Sequence, residues 1–278
     1  MAKCRISGDS LEYNLAKVLI NEFSYIFYDT KSGEKFNKLK AKIINDDINL
    51  TSKTLSKLFQ DLKLNKYNKI KFTQDNDGRI GNVSDFELYG NNEHVGFSLK
   101  KNNMSIKHPR PSAFYNQCNL NKDTSIRYKE DYMKCNNLWY EKIKNMNTFD
   151  KINTIMKQQL YIDFNNNTKK YLDNLSLDEI STFWNFLIQY ECVYILKYDT
   201  HKKQIILYNY LNIMEPTKIN SIEVKDNHII IIFNNSININ MRLHNASKNI
   251  TKSLSLKYDT KILNHEKIFT QTIYKLSH

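Results

Sequence analysis

The run Asp85-Phe86-Glu87-Leu88-Tyr89-Gly90-Asn91-Asn92-Glu93-His94-Val95-Gly96-Phe97-Ser98-Leu99-Lys100 decides how the chain is read. Residues 83–89 and 94–101 each alternate in the period of a strand, and 90–93 have the composition of a turn, so the stretch predicts a β-hairpin. On the returning strand Val95, Phe97 and Leu99 point one way and Ser98 and Lys100 the other. On the first strand Asp85 and Glu87 share a face, opposite Phe86 and Leu88. An acid opening one strand and a lysine closing the next can place a hard divalent cation beside a cationic side chain. The same residues also suit a salt-bridged surface hairpin, and spacing alone does not separate the two.

Working outward, residues 11–23 repeat Leu11, Leu15, Val18, Leu19 and Phe23 at helical spacing, with Ser7 or Asp9 as the N-cap. Glu12 falls inside this apolar arc, where a carboxylate needs a partner; Glu22 projects onto it too, and a snorkelling helix-edge position is the plain alternative for Glu12. A second helix is predicted over 52–62, a strand over 69–73, and a turn at Asp75-Asn76-Asp77-Gly78. Further helices are predicted over 124–146 and 177–190, and short strands over 192–198, 203–208, 229–233, 237–242 and 254–262. The order predicts an α/β fold, with a catalytic part over residues 1–160 and a β-rich part over 161–278 that packs on it.

The 278 residues include 41 basic and 29 acidic side chains, a formal charge of +12, which favours a polyanionic partner such as nucleic acid. A chain with only 6 glycines and 3 prolines that is crowded with Lys, Asn and Ile also fits an A+T-rich coding sequence, so charge alone does not choose the partner. Cys4, Cys118, Cys135 and Cys192 are scattered, with no metal-ligand spacing, which predicts reduced structural thiols. The N-terminal residues lack a signal-like apolar run and 229–233 is too short to span a bilayer, so a cytoplasmic location is expected.

A longer set of motifs adds to the hairpin. Asp75-Asn-Asp-Gly-Arg-Ile-Gly-Asn-Val-Ser-Asp85, Val95-Gly-Phe-Ser-Leu-Lys100, Asn102 and Ile106-Lys-His-Pro-Arg110 together resemble the HaeIII family of type II restriction endonucleases. That family carries Gly-Asp-Val-Arg-Asp before an apolar strand, then Gly-x-Ser-x-Lys-His-Asn-His, then Val-Lys-His-Ser-Arg. Gly8-Asp-Ser-Leu-Glu-Tyr13 resembles its opening helix, and Phe233, Arg242-Leu-His-Asn-Ala-Ser247 and Ser255-Leu-Lys-Tyr-Asp259 resemble its last strands.

The resemblance implies a PD-(D/E)XK-like mixed sheet flanked by helices and a magnesium-dependent endonuclease that cuts double-stranded DNA. Its implied site is GGCC, cut to blunt ends, and its implied partner is a cognate methyltransferase; whether the chain forms a homodimer is left open. Asp85 becomes the metal-binding acid, Lys100 the catalytic lysine, and Ser98 stands where many nucleases have a second acid. Glu12 is the candidate for the missing ligand, with the main-chain carbonyl of Leu99 completing the Mg²⁺ cage; Glu87 is the poorer alternative. Lys101, Asn102, Lys107, His108 and Arg110 are expected to contact DNA, chiefly its phosphates. Arg242, His244, Asn245 and Ser247 are expected to read bases, although Asn245 equally suits a turn and Arg242 a carboxylate partner. Asn82, Ser84, Lys101 and Asn103 depart from the family pattern, replacing an acid, an arginine and two histidines. These losses leave open a catalytically inactive DNA-binding member of the same family.

Overall fold

The computed structural model describes residues 2–42, 52–73, 84–102, 104–188 and 193–275. The predicted turn at 75–78, the family departures Asn82 and Asn103, and Cys192 lie outside the described residues. The chain forms two compact units, and both are discontinuous in sequence. One gathers residues 1–104, 189–211 and 269–278; the other gathers 105–188 and 212–268.

The first unit holds a mixed sheet of order β1-β2-β3-β4-β5-β6-β11. Its strands are β1 (Ile26–Phe27), β2 (Lys69–Phe72), β3 (Phe86–Gly90), β4 (Glu93–Lys101), β5 (Val193–Asp199), β6 (Gln204–Tyr210) and β11 (Phe269–Lys275). The predicted hairpin is present as β3 and β4, with Phe86 paired to Phe97 and Gly90 to Glu93. Asn91 and Asn92 form its turn, Asn92 at φ 68°, a left-handed conformation that Asn tolerates. Gly90 is required by close approach, because a Cβ there would lie 2.1 Å from the Lys66 carbonyl oxygen. β5 runs parallel to β4. Parallel neighbours need a long crossover, and here it is the whole run 105–188 of the second unit. The boundary expected at residue 160 therefore falls inside a helix of that unit, α6.

Helices α1 (Ala2–Phe23), α2 (Thr30–Lys42) and α3 (Ser52–Asp61) belong to the first unit. As the helical spacing predicts, Leu11, Leu15, Val18 and Leu19 are buried, in one core with Phe86, Val95 and Phe97. Leu11 and Leu15 sit beside Leu99 of β4 and Leu196 and Tyr198 of β5, so α1 covers the odd-numbered face of β4. The period-two pattern of residues 94–101 is thus the reason this face is apolar. α2, which periodicity did not predict, starts where Asp29 Oδ1 accepts the Ser32 N–H at 2.7 Å, an N-cap geometry. Ser32 Oγ in turn accepts the Phe72 N–H at 3.1 Å, fixing α2 to β2.

In the second unit α4 (Phe114–Gln117), α5 (Lys122–Ile143), α6 (Thr154–Leu172) and α7 (Leu177–Ile188) accompany an antiparallel sheet of order β10-β9-β8-β7. The strands are β7 (Ile219–Lys225), β8 (His228–Phe233), β9 (Asn238–Asn245) and β10 (Leu256–Ile262). Ile229, Ile231, Phe233, Ile239, Met241, Leu243 and Tyr258 are buried on one face, leaving a polar face on the other side. No helix among the described residues is long and apolar enough to cross a membrane.

Candidate metal centre and basic sheet face

The first candidate site lies where the β3–β4 ladder ends. The Asp85 N–H donates to the Phe97 carbonyl at 2.7 Å, and one step further the Leu99 N–H donates to Asp85 Oδ2 at 2.5 Å. The carboxylate thus takes the place of a strand carbonyl at the point where β3 has run out. In an extended strand the N–H and C=O of one residue face the same edge, so the Leu99 carbonyl opens toward the same gap. Ser98 and Lys100 alternate with Leu99 and so share the other face of β4, Lys100 half-buried. Ser98 is 2% exposed, and its hydroxyl finds no hydrogen-bond partner among the described residues.

Glu12 reaches this region from α1. It is 8% exposed, whereas Glu22 is exposed, so the tertiary structure separates two acids that the helical wheel left equivalent. Lys35 of α2 places Nζ 2.7 Å from Glu12 Oε1 and donates to the Thr73 carbonyl at 3.0 Å. Lys35 is thus the charged partner of Glu12 Oε1. Burial pushes the Glu12 carboxyl up from its ordinary 4.5 to about 7; the Lys35 ammonium opposes the rise and the negative charge of Asp85 adds to it. Glu12 and Asp85 are therefore near enough to repel, and a cation between them is electrostatically favourable.

Mg²⁺ commonly binds through one or two carboxylates and keeps several waters. Two carboxylates, one of them buried, and a main-chain carbonyl are oxygen donors of the kind that chemistry uses. No group of three or more His, Cys, Asp or Glu side chains suited to a metal gathers among the described residues, so further ligands would be water or substrate oxygen. Glu87 stands apart, accepting the Tyr89 hydroxyl at 2.5 Å. Sequence reasoning missed Lys35, and local periodicity offered no signal for it: nothing in residues 30–42 marks which lysine meets an acid on another helix.

The expected DNA-contact residues separate into groups. Asn102 is committed locally, its Oδ1 accepting the Thr200 N–H at 3.0 Å, and Lys101 is half-buried opposite Tyr198. Lys107 does not face solvent: it is 6% exposed, with Nζ 4.6 Å from the Phe186 ring centroid. The segment expected to face DNA instead bridges β10 through Lys107 and Thr260, and alternation turns Lys107 inward and His108 outward. Arg110 is exposed just before a short 3₁₀ turn. Asn245 and Ser247 close the turn after β9, the Asn245 side chain donating to the Ser247 carbonyl at 2.8 Å. Arg242, His244 and His108 converge on one carboxylate, Asp259, whose role sequence reasoning did not assign. No family model, curated protein or solved structure matches this chain.

Proposed function

We propose that this protein is a Mg²⁺-dependent endonuclease that cuts double-stranded DNA at a short specific site, in the manner of restriction enzymes. The observation that carries this reading is the capture of Asp85 Oδ2 by the Leu99 N–H where two adjacent strands of a mixed sheet part, with the buried Glu12 carboxyl within reach of the Asp85 charge. The PD-(D/E)XK resemblance implies that arrangement, with GGCC as the default site and a methyltransferase to protect host DNA.

Glu12, Asp85 and the Leu99 carbonyl would hold the ion, which supplies Lewis-acid activation of water and of the phosphoryl oxygen. The Leu99 N–H fixes Asp85 Oδ2 at the end of the ladder. Burial of Glu12 keeps bulk water from screening its charge, which strengthens its attraction for a cation. Lys100, the residue after Leu99 on β4, would offset charge that accumulates on the phosphate, and Ser98 stands where the resemblance has a second acid. Lys35 neutralises Glu12 when no metal is bound.

A digest of methylation-free DNA with mapped ends tests this. Fixed-position cuts should require Mg²⁺ or Mn²⁺, and Asp85→Asn and Lys100→Ala should each slow cutting by at least about 100-fold. Mg²⁺ should also raise the melting temperature of wild type but not of Asp85→Asn or Glu12→Gln. A second reading, a DNA-binding relative that no longer cuts, is favoured by Lys35 holding Glu12. Binding without cutting under both metals, and no melting shift with either, would establish that second reading and remove the nuclease.

A further inference from the structure

On the polar face of the second unit, one carboxylate organises three nitrogen-bearing side chains. Asp259 of β10 is 8% exposed. Its Oδ1 lies 2.8 Å from His108 Nδ1 and 3.1 Å from His244 Nε2, and its Oδ2 lies 2.8 Å from Arg242 Nη2. These partners arrive from both sides of the strand. Arg242 is directly opposite Asp259 on β9. His108 comes from the other flank, where main-chain bonds from Ile106 to Thr260 (2.9 Å), from Thr260 to Lys107 (3.0 Å) and from Tyr258 to Pro109 (2.8 Å) hold its segment along β10. Those neighbours hold the Asp259 carboxyl well below the usual range against the opposing effect of burial, so it stays ionised and keeps its grip.

The outward parts of this cluster are accessible: the side chains of His108 and Arg242 are 47% and 53% exposed. Register places further basic side chains on the same face. Lys257 is opposite His244, Lys261 opposite Asn240, His228 opposite Arg242 and Lys225 opposite His228, while Glu223 is the other acid on this face among the described strand residues. The face is therefore basic, with two exposed groups, His108 and Arg242, held in place before any ligand arrives.

The breadth of the sheet decides what it can touch. Strands lie about 4.8 Å apart, so four strands and the flanking segment are wider than the roughly 12 Å major groove, which admits a helix or a two-stranded ribbon. A flat face of this width meets the phosphate rims and does not reach base edges. We propose that the Asp259-centred cluster is a clamp for the phosphates of duplex DNA, in which Arg242 and His108 grip the backbone and Asp259 pre-orders them. Arg242 then sets register and affinity, with no part in reading bases. One N–H of its fork is committed to Asp259, and the remaining donors suit phosphate oxygens. Pre-ordering matters because immobilising a free Arg side chain on binding carries an entropic cost.

The proposal rests on duplex DNA being the ligand, and binding measured in EDTA separates it from cleavage. Two short duplexes, one containing GGCC and one scrambled, are titrated against wild type, Arg242→Gln, His108→Gln and Asp259→Asn, with melting curves for each. Arg242→Gln and His108→Gln replace exposed side chains and should weaken both duplexes alike, by about 3- to 10-fold, Arg242→Gln also flattening the slope of log affinity against log salt by about 1. Asp259→Asn removes a negative charge, so simple electrostatics predicts tighter binding, whereas the clamp requires weaker binding to both duplexes. Tighter binding by a folded Asp259→Asn, or an Arg242→Gln loss confined to the GGCC duplex, overturns the clamp. Unchanged binding by Arg242→Gln and His108→Gln while wild type still binds and cuts overturns it alone. If wild type binds neither duplex, the DNA reading and the clamp fall together.

Discussion

Glu12 is a carboxylate on the apolar arc of α1, and what it contributes to stability depends on pH. Its folded-state value of about 7 lies above its ordinary 4.5, so the folded protein prefers the protonated form. The stability from this preference is full below about 4.5 and is lost as pH rises through about 7, a change of about 3 kcal/mol. Glutamine mimics the protonated acid. Glu12→Gln should therefore match wild type in urea unfolding at pH 4 and exceed it at pH 8 by up to about 3 kcal/mol in metal-free buffer. Parallel pH profiles for the two proteins would mean that Lys35 neutralises Glu12 completely. A residue that destabilises the metal-free fold near neutrality while fitting a cation site is the pattern expected where function and stability compete.

At the scale of elements, the hairpin is fixed at its turn end by Gly90. A methyl group there would collide with the main chain at Lys66 and Tyr67, at 2.1 Å and 2.9 Å, and neither atom belongs to a flexible side chain. Gly90→Ala should cost at least about 2 kcal/mol in chemical denaturation, since β2 or β3 must shift. A loss under about 0.5 kcal/mol would show that the approach of Lys66 to Gly90 is not needed to hold the hairpin. Elsewhere local chemistry sets element ends in readable ways. Glu179 accepts the Ser176 N–H at 2.9 Å while its own N–H donates to Ser176 Oγ at 3.4 Å, a capping box that starts α7. The motif Ser-x-x-Glu before an apolar run was a legible signal for that start. Helix α6 and strands β7 and β11 were not predicted. α6 buries Asn165 and Thr168 among its apolar side chains, and these polar groups, bonded to Tyr258 at 3.1 Å each, interrupt the pattern that marks a helix face.

For the whole molecule, the interleaving of the two units has a direct consequence. A fragment ending at residue 160 keeps β1 to β4 but lacks β5, β6 and β11, three of the seven strands of the first sheet. It also cuts α6 and removes every strand of the second unit's sheet. The edge of β4 would be left unpaired, with its apolar face partly uncovered. Residues 1–160 expressed alone should show no cooperative thermal transition and poor solubility. A sharp melt and a dispersed amide spectrum for that fragment would show that the first unit completes its fold without β5.

The sequence by itself determined the elements whose pattern is local. The β3–β4 hairpin, the buried arc of α1 and the polar and apolar faces of β9 and β10 follow from periods of two and 3.6 that survive in any context. The acid at Asp85 and its place at a strand end were legible for the same reason, as was a Glu12 in need of a partner. Tertiary structure alone decided which partner that would be. Lys35 meets Glu12, Lys107 turns inward while His108 turns outward, and Asp259 gathers groups from β9 and from a segment far away in sequence. Such contacts depend on how distant segments pair and pack, and a periodicity has no memory of which strand lies beside which. The parallel pairing of β4 with β5 is the extreme case, because the residues between them build most of another unit before the chain returns.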